Sequence, residues 1–147
     1  MPTKTNVAFF LTPKDDVVWV PSDASVREAL ERMSAKRYTA VPVLDGDGRY
    51  VATITEGDIL WHLVGADKAW SALAADTSIL QIERRMTNHP VHIYAGMDAL
   101  VARAIEQHFV PVVDDRGVFV GIVRRQRIVE YCAEIAGLGR RDAPRLP

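Results

Sequence analysis

Two four-residue segments have the residue types to handle a phosphorylated ligand. Arg124-Arg125-Gln126-Arg127 stands at the start of an expected helix, where unpaired N–H groups and the helix dipole favour negative charge. Arginine adds forked, charge-assisted bonds to phosphate oxygens. Three arginines at the positive end of a dipole repel it and one another, a local conflict of the kind that marks functional sites. The alternative is a solvated basic face or a salt-bridge cluster in a dimer. The other segment is Thr55-Glu56-Gly57-Asp58. Here Thr55 can donate a hydrogen bond and Asp58 can accept from hydroxyl groups of a polar ligand. The same pair could equally cap a helix N-terminus, and Glu56 adds a negative charge where phosphate would lie.

Other constellations carry less. His89-Pro90-Val91-His92 holds two histidines, but an extended chain sends them in different directions, and no carboxylate or thiol stands close in sequence. No metal site is expected. His62 and His108 read as partly exposed helix residues, and the one cysteine, Cys132, as a packed thiol. Nucleophile-elbow, Walker and Cys-x-x-Cys motifs are absent. No catalytic residues are assigned, and no cofactor is required.

These segments are placed by a chain that repeats itself. Val41-Pro42-Val43-Leu44-Asp45 recurs as Val110-Pro111-Val112-Val113-Asp114, 69 residues later. Over Val41–Leu60 seven of twenty pairs are identical, and others, such as Leu44 with Val113, Tyr50 with Phe119 and Ile54 with Val123, keep apolar facing apolar. Upstream, Leu11-Thr12-Pro13 parallels Met86-Thr87-Asn88, and Val18-Trp19-Val20 parallels Val91-His92-Ile93. In copy one an extended Val17–Val20 leads to the capping residues Ser22, Asp23 and Ser25. Val26, Ala29, Leu30 and Met33 then recur at helical spacing. A strand Ala40–Leu44, the turn Asp45-Gly46-Asp47-Gly48, a strand Tyr50–Ile54 and a helix to Val64 complete the unit. The predicted class is α/β: two β-α-β-β-α motifs packed with pseudo-twofold symmetry into one module, since a lone three-stranded sheet cannot cover both its faces. In copy two the first helix, near Ala99–His108, is about four residues shorter.

The expected divisions are residues 7–64, a linker 65–79, a second unit 80–135 and a disordered tail 136–147. The linker contains Trp70, Leu73 and Ile79 and is too apolar for a flexible tether. A net charge of −1 gives no field that would gather nucleic acid or an anionic membrane. Pro13-Lys14-Asp15-Asp16 interrupts the early apolar stretch, which is not a signal peptide. No run approaches the ~20 apolar residues of a membrane span. A cytoplasmic protein is expected.

The segment "VPVLDGDGRYVATITEGDIL" resembles the pattern of cystathionine-beta-synthase-like (CBS) domains: a Pro-Val-hydrophobic-Asp hairpin, a hydrophobic strand, then Thr or Ser, two residues, and Asp opening the last helix. "IERRMTNHPVHI" resembles the lead-in of a second such domain, and the likeness covers about Val7 to Tyr131. It implies a disc-shaped pair, usually dimerised, with up to two clefts for adenosine-containing ligands. "RYTAVPVLD", "LVGADKAWSAL" and "FVGIVRRQRIVEY" are similar to small stand-alone CBS-pair proteins that bind cyclic di-AMP. AMP- or ATP-binding relatives, and a ligand-free dimerisation module, are the alternatives. The resemblance also implies clefts built from the early strand and pre-hairpin residues of one copy and the last helix of the other. The first would join Val18, Trp19, Tyr38, Thr39 and Ala40 to Arg124, Arg125 and Arg127. The second would join His92, Ile93, Phe109 and Val110 to Thr55 and Asp58. The first is the expected site, because Arg127 replaces the ribose-gripping Asp and suits a ligand richer in phosphate. The implied role is regulatory, with an adenine nucleotide as ligand, a homodimer as assembly and a separate, unidentified protein as recipient of the signal.

Overall fold

The computed structural model describes residues 6–65, 75 and 77–137. The predicted linker therefore lies largely outside the described residues, as does the tail from residue 138.

Copy one runs β2 (Val20–Pro21), α2 (Val26–Ala35), β3 (Ala40–Leu44), β4 (Tyr50–Thr55) and α3 (Glu56–Val64). Copy two runs β5 (Val91–His92), α4 (Met97–Ala104), β6 (Phe109–Val113), β7 (Phe119–Arg124) and α5 (Arg125–Ile135). Ahead of both lie α1 (Val7–Phe10) and β1 (Thr12–Pro13). The order β-α-β-β-α occurs twice, as the repeat predicts. The start of α2 follows from Ser25, whose hydroxyl accepts from the Glu28 N–H at 3.1 Å, satisfying one of the unpaired donors of the first turn. Helix α4 ends at Ala104, short of the predicted His108. Ile105 and Glu106 form the turn that ends it, and Gln107 and His108 lead into β6.

Within each copy the first strand pairs parallel with the second and the second antiparallel with the third. Pro42 sits in β3 beyond the short overlap with β2, which pairs only Val43 and Leu44, so its missing N–H interrupts no ladder on that side. Asp45 and Asp114 close equivalent hairpins. Asp45 accepts from the N–H groups of Asp47 and Arg49, and Asp114 from those of Arg116 and Val118. The bond from Arg116, above all, holds the Asp114 carboxyl below the usual range.

The two copies are locked together in three ways. Tyr50 N–H donates to Gly117 C=O at 3.1 Å, and Phe119 N–H donates to Gly48 C=O at 2.9 Å. These bonds are counterparts under the 69-residue offset, so the hairpin tips meet about a pseudo-twofold axis. Gly48 and Gly117 both have φ of 80° at these tips, a conformation that favours glycine. An apolar seam of Ala40, Leu44, Phe109, Phe119 and Ile122 then joins the sheets, with Tyr50 packed against it. Burial pushes the Tyr50 hydroxyl up to about 12, and it bonds to Thr53 Oγ1 at 2.7 Å. The third lock is an exchange of arms. Strand β1 pairs antiparallel with β7, while Val7 and Phe10 pack among Val91, Leu100 and Ile128 in the core of copy two. Conversely Ile79 and Ile82, ahead of copy two, pack with Val20, Val26 and Ile54 in the core of copy one. The spatial halves thus trade the segments that precede them in the chain. Gly121 of copy two lets the N-terminal arm approach: a Cβ there would lie 2.2 Å from Thr12 C=O and 2.8 Å from Leu11 Cδ1.

Candidate functional site

The open cleft is at the start of α3. Thr55 ends β4 in extended conformation, and its Oγ1 accepts from Asp58 N–H at 3.0 Å. Asp58 Oδ2 accepts in return from Thr55 N–H at 3.1 Å, so the pair forms a reciprocal cap. The capping alternative for these residues is thus their arrangement here. Asp58 also reaches across the copies: Oδ1 accepts from Arg85 N–H at 3.1 Å, and the residue is only 7% exposed. Around this cap lies a hollow of about 570 Å3, bordered by Thr39, Thr55 and Glu56 of copy one and by Arg85, Asn88 and His108 of the second half. That volume is within the range of small-molecule sites.

The remaining residues expected in this cleft lie elsewhere. His92 Nδ1 accepts from Tyr94 N–H, which leaves Nε2 to donate to Asp115; neither His92 nor Ile93 borders the hollow. Val110 is fully buried in the core of copy two, and Phe109 is in the seam. The residue facing the cleft is His108, the 69-residue counterpart of Thr39.

The cleft expected near the three arginines is nearly filled. Val18, Tyr38, Ala40, Phe109 and Arg124 enclose about 20 Å3, room for about one water. The arginines diverge. Arg124 lies over the Tyr38 ring at 5.8 Å, and Arg127 over the Phe10 ring at 5.7 Å. Arg125 donates through Nε and Nη2 to Gln107 C=O at 3.0 and 2.6 Å. Trp19 packs on the seam, with Lys14 and Arg32 over its ring at 5.0 and 5.6 Å. Thr39 C=O accepts from Glu56 N–H at 2.9 Å, so it helps to seat α3. Thr39 borders the open cleft and not this one.

Sequence reasoning passed over Gln107. Its side chain is 2% exposed, accepts from His89 N–H at 2.9 Å and donates to His89 C=O at 3.1 Å. It thereby ties the lead-in of copy two to the turn that carries His108. A polar side chain acting as a surrogate strand leaves no periodic signal.

The family model described as the CBS domain matches residues 10–65 and again residues 72–134. This chain belongs to the CBS-domain family. Its two CBS motifs form one mixed α/β pair, and a relative of known sequence is the CBS domain-containing protein CBSX1, chloroplastic, of Arabidopsis thaliana. That protein is 27% identical over 160 residues, a stretch covering 93% of this chain and 68% of its own length. Among solved structures, a CBS domain protein from Streptococcus pneumoniae is 26% identical with a TM-score of 0.76, covering 87% of this chain and 86% of that one. CbpB of Listeria monocytogenes, solved in complex with c-di-AMP, is 22% identical with a TM-score of 0.76, covering 90% of this chain and 98% of its own. No metal-binding cluster of His, Cys, Asp and Glu occurs among the described residues. No helix among them is long and apolar enough to cross a membrane.

Proposed function

We propose that this CBS pair is a cytoplasmic nucleotide-sensing module that takes an adenine nucleotide, cyclic di-AMP first among candidates, at Thr55 and Asp58. The observation that carries the reading is the contrast in room: a hollow of about 570 Å3 at the copy-one cap against about 20 Å3 near Arg124. The ligand site therefore moves from the arginine-flanked cleft to the one with the intact Thr-x-x-Asp pattern. There Thr55 and Asp58 can address phosphate and ribose, and His108 and Asn88 offer polar contacts to a base. The binding of c-di-AMP by CbpB of Listeria monocytogenes supports this choice of ligand. Because Asp58 bonds to Arg85, a ligand that engages Asp58 acts where the two copies meet. It shifts the module only as far as it prefers one arrangement of them. A separate protein would read the change.

Calorimetry of the full chain with cyclic di-AMP, AMP and ATP is expected to give micromolar binding for at least one of them. No heat and no thermal shift with all three would refute the reading.

The assembly we propose is a homodimer through the last helices. Leu60 and Val64 of α3 are each 54% exposed, and Val129 and Ile135 of α5 are 58% and 69% exposed. Such apolar faces on the terminal helix of each copy suit a self-complementary contact. Sedimentation velocity should find a dimer at micromolar concentration, reduced to monomer by Val64→Glu combined with Val129→Glu. A monomeric unmodified chain would overturn the assembly.

A further inference from the structure

At one position the outer strands of the two sheets differ by a single methyl group. Under the 69-residue offset Gly121 of β7 has Ala52 of β4 as its counterpart. The arms correspond as well, Leu11-Thr12-Pro13 matching Met86-Thr87-Asn88, yet they lie differently. Thr12 and Pro13 pair with Ile122 and Gly121 and make a four-stranded sheet. Among the described residues the sheet of copy one stops at β4. Phe10, ahead of the paired arm, is buried, whereas Arg85, ahead of the unpaired one, is exposed. Arg85, Met86 and Asn88 of the unpaired segment border the hollow of about 570 Å3.

We infer that Ala52 is a positioning residue: its methyl group holds residues 86–88 off β4 and so keeps the nucleotide cleft open. The inference rests on the reading of that hollow as the ligand site. Its physical basis is the close approach at Gly121. A Cβ there would lie 2.2 Å from Thr12 C=O, far inside the ~3.5 Å at which non-bonded heavy atoms pack well. An arm can therefore dock in this way only on a residue without a side chain. Ala52 carries that carbon, and the backbone fixes its place, so no rotamer moves it aside. It also stands on the side where the arm enters. A Cβ at Gly121 would meet Leu11, which packs on the core of copy two. The methyl of Ala52 is buried in the core of copy one, with Ile79 and Ile82 of the arm. Without it β4 could accept Thr87 and Asn88 as β7 accepts Thr12 and Pro13. Docking of that segment would then compete with the ligand, each favouring its own arrangement of the cleft.

The test compares Ala52→Gly with Ala52→Ser in the full chain. Amide hydrogen exchange is measured without ligand, and calorimetry with cyclic di-AMP, AMP and ATP. In Ala52→Gly, exchange over residues 86–88 is expected to slow about tenfold or more as the segment gains a strand partner. Affinity for the nucleotide falls by the same factor, about tenfold, because only the open fraction can bind. Ala52→Ser keeps the Cβ and should match the parent in both measurements within about twofold. Loss of core packing alone cannot imitate this result, since a loosened fold exchanges faster. Exchange over residues 86–88 as fast as in the parent, or slower exchange with undiminished affinity, would overturn the inference and leave the nucleotide site standing. Failure of all three nucleotides to bind the unmodified chain would refute that site instead. Slowed exchange in Ala52→Gly would even then uphold Ala52 as the residue that holds the arm away.

Discussion

Replacing Gly121 with alanine is expected to lower the melting temperature by about 10 °C. The added Cβ would meet Thr12 C=O at 2.2 Å and Leu11 Cδ1 at 2.8 Å. The first of these is backbone, which cannot rotate away as a side chain could. Strand β1 must leave β7 or β7 must bend, and either movement draws Val7 and Phe10 from the core of copy two. Overpacking of a core usually costs about 1–3 kcal/mol, and this case combines it with lost strand pairing, so about 3 kcal/mol is the expected size. Gly46→Ala is the control, because nothing lies within 4 Å of a Cβ there. Scanning calorimetry of both variants makes the comparison. A Gly121→Ala protein that melts with the parent would show that the arm does not sit against β7.

Asp58→Ala should cost about 2–4 kcal/mol and also weaken the nucleotide. Its carboxylate accepts from Thr55 N–H and from Arg85 N–H. Without it both donors lose their partner in a partly buried place, at about 1–2 kcal/mol each. The variant thus loosens the start of α3 and the joint between the copies together. Asp58→Asn keeps one acceptor oxygen but presents an NH2 group to the second donor, so an intermediate loss is expected. Urea midpoints of the three proteins provide the measurement. Unchanged midpoints would mean that these bonds contribute nothing to the folded state.

The repeat made most of the architecture legible. Strands β3 and β6, the turn glycines and the final helices are local patterns, and all recur at one offset. The arm exchange was not legible, since Val7 and Ile82 are apolar residues whose sequence neighbours say nothing about which core receives them. Ile105 and Glu106 suit a helix that would prolong α4, while the bonding of Gln107 to His89 turns the chain earlier. The clefts were half legible. The sequence pairs Thr55 with Asp58, as the cap does. It cannot reveal that Phe10 and Tyr38 stand beneath two of the three arginines, because those contacts join residues about 90 to 120 positions apart. His108 could have been found by applying the 69-residue offset to Thr39 without adjustment.

The pairing of Thr12 with Ile122 and of Pro13 with Gly121 also sets a timetable for folding during synthesis. At roughly 5–20 residues per second, a ribosome needs roughly 5–20 s to travel from one partner to the other. During that interval Val7 and Phe10 have no core to join, and the core of copy one waits for Ile79 and Ile82, made partway through it. The core of copy one is therefore unfilled until Ile82 is made, and Val7 and Phe10 stay uncovered until β7 and α5 follow, the period in which the nascent chain has most need of a chaperone.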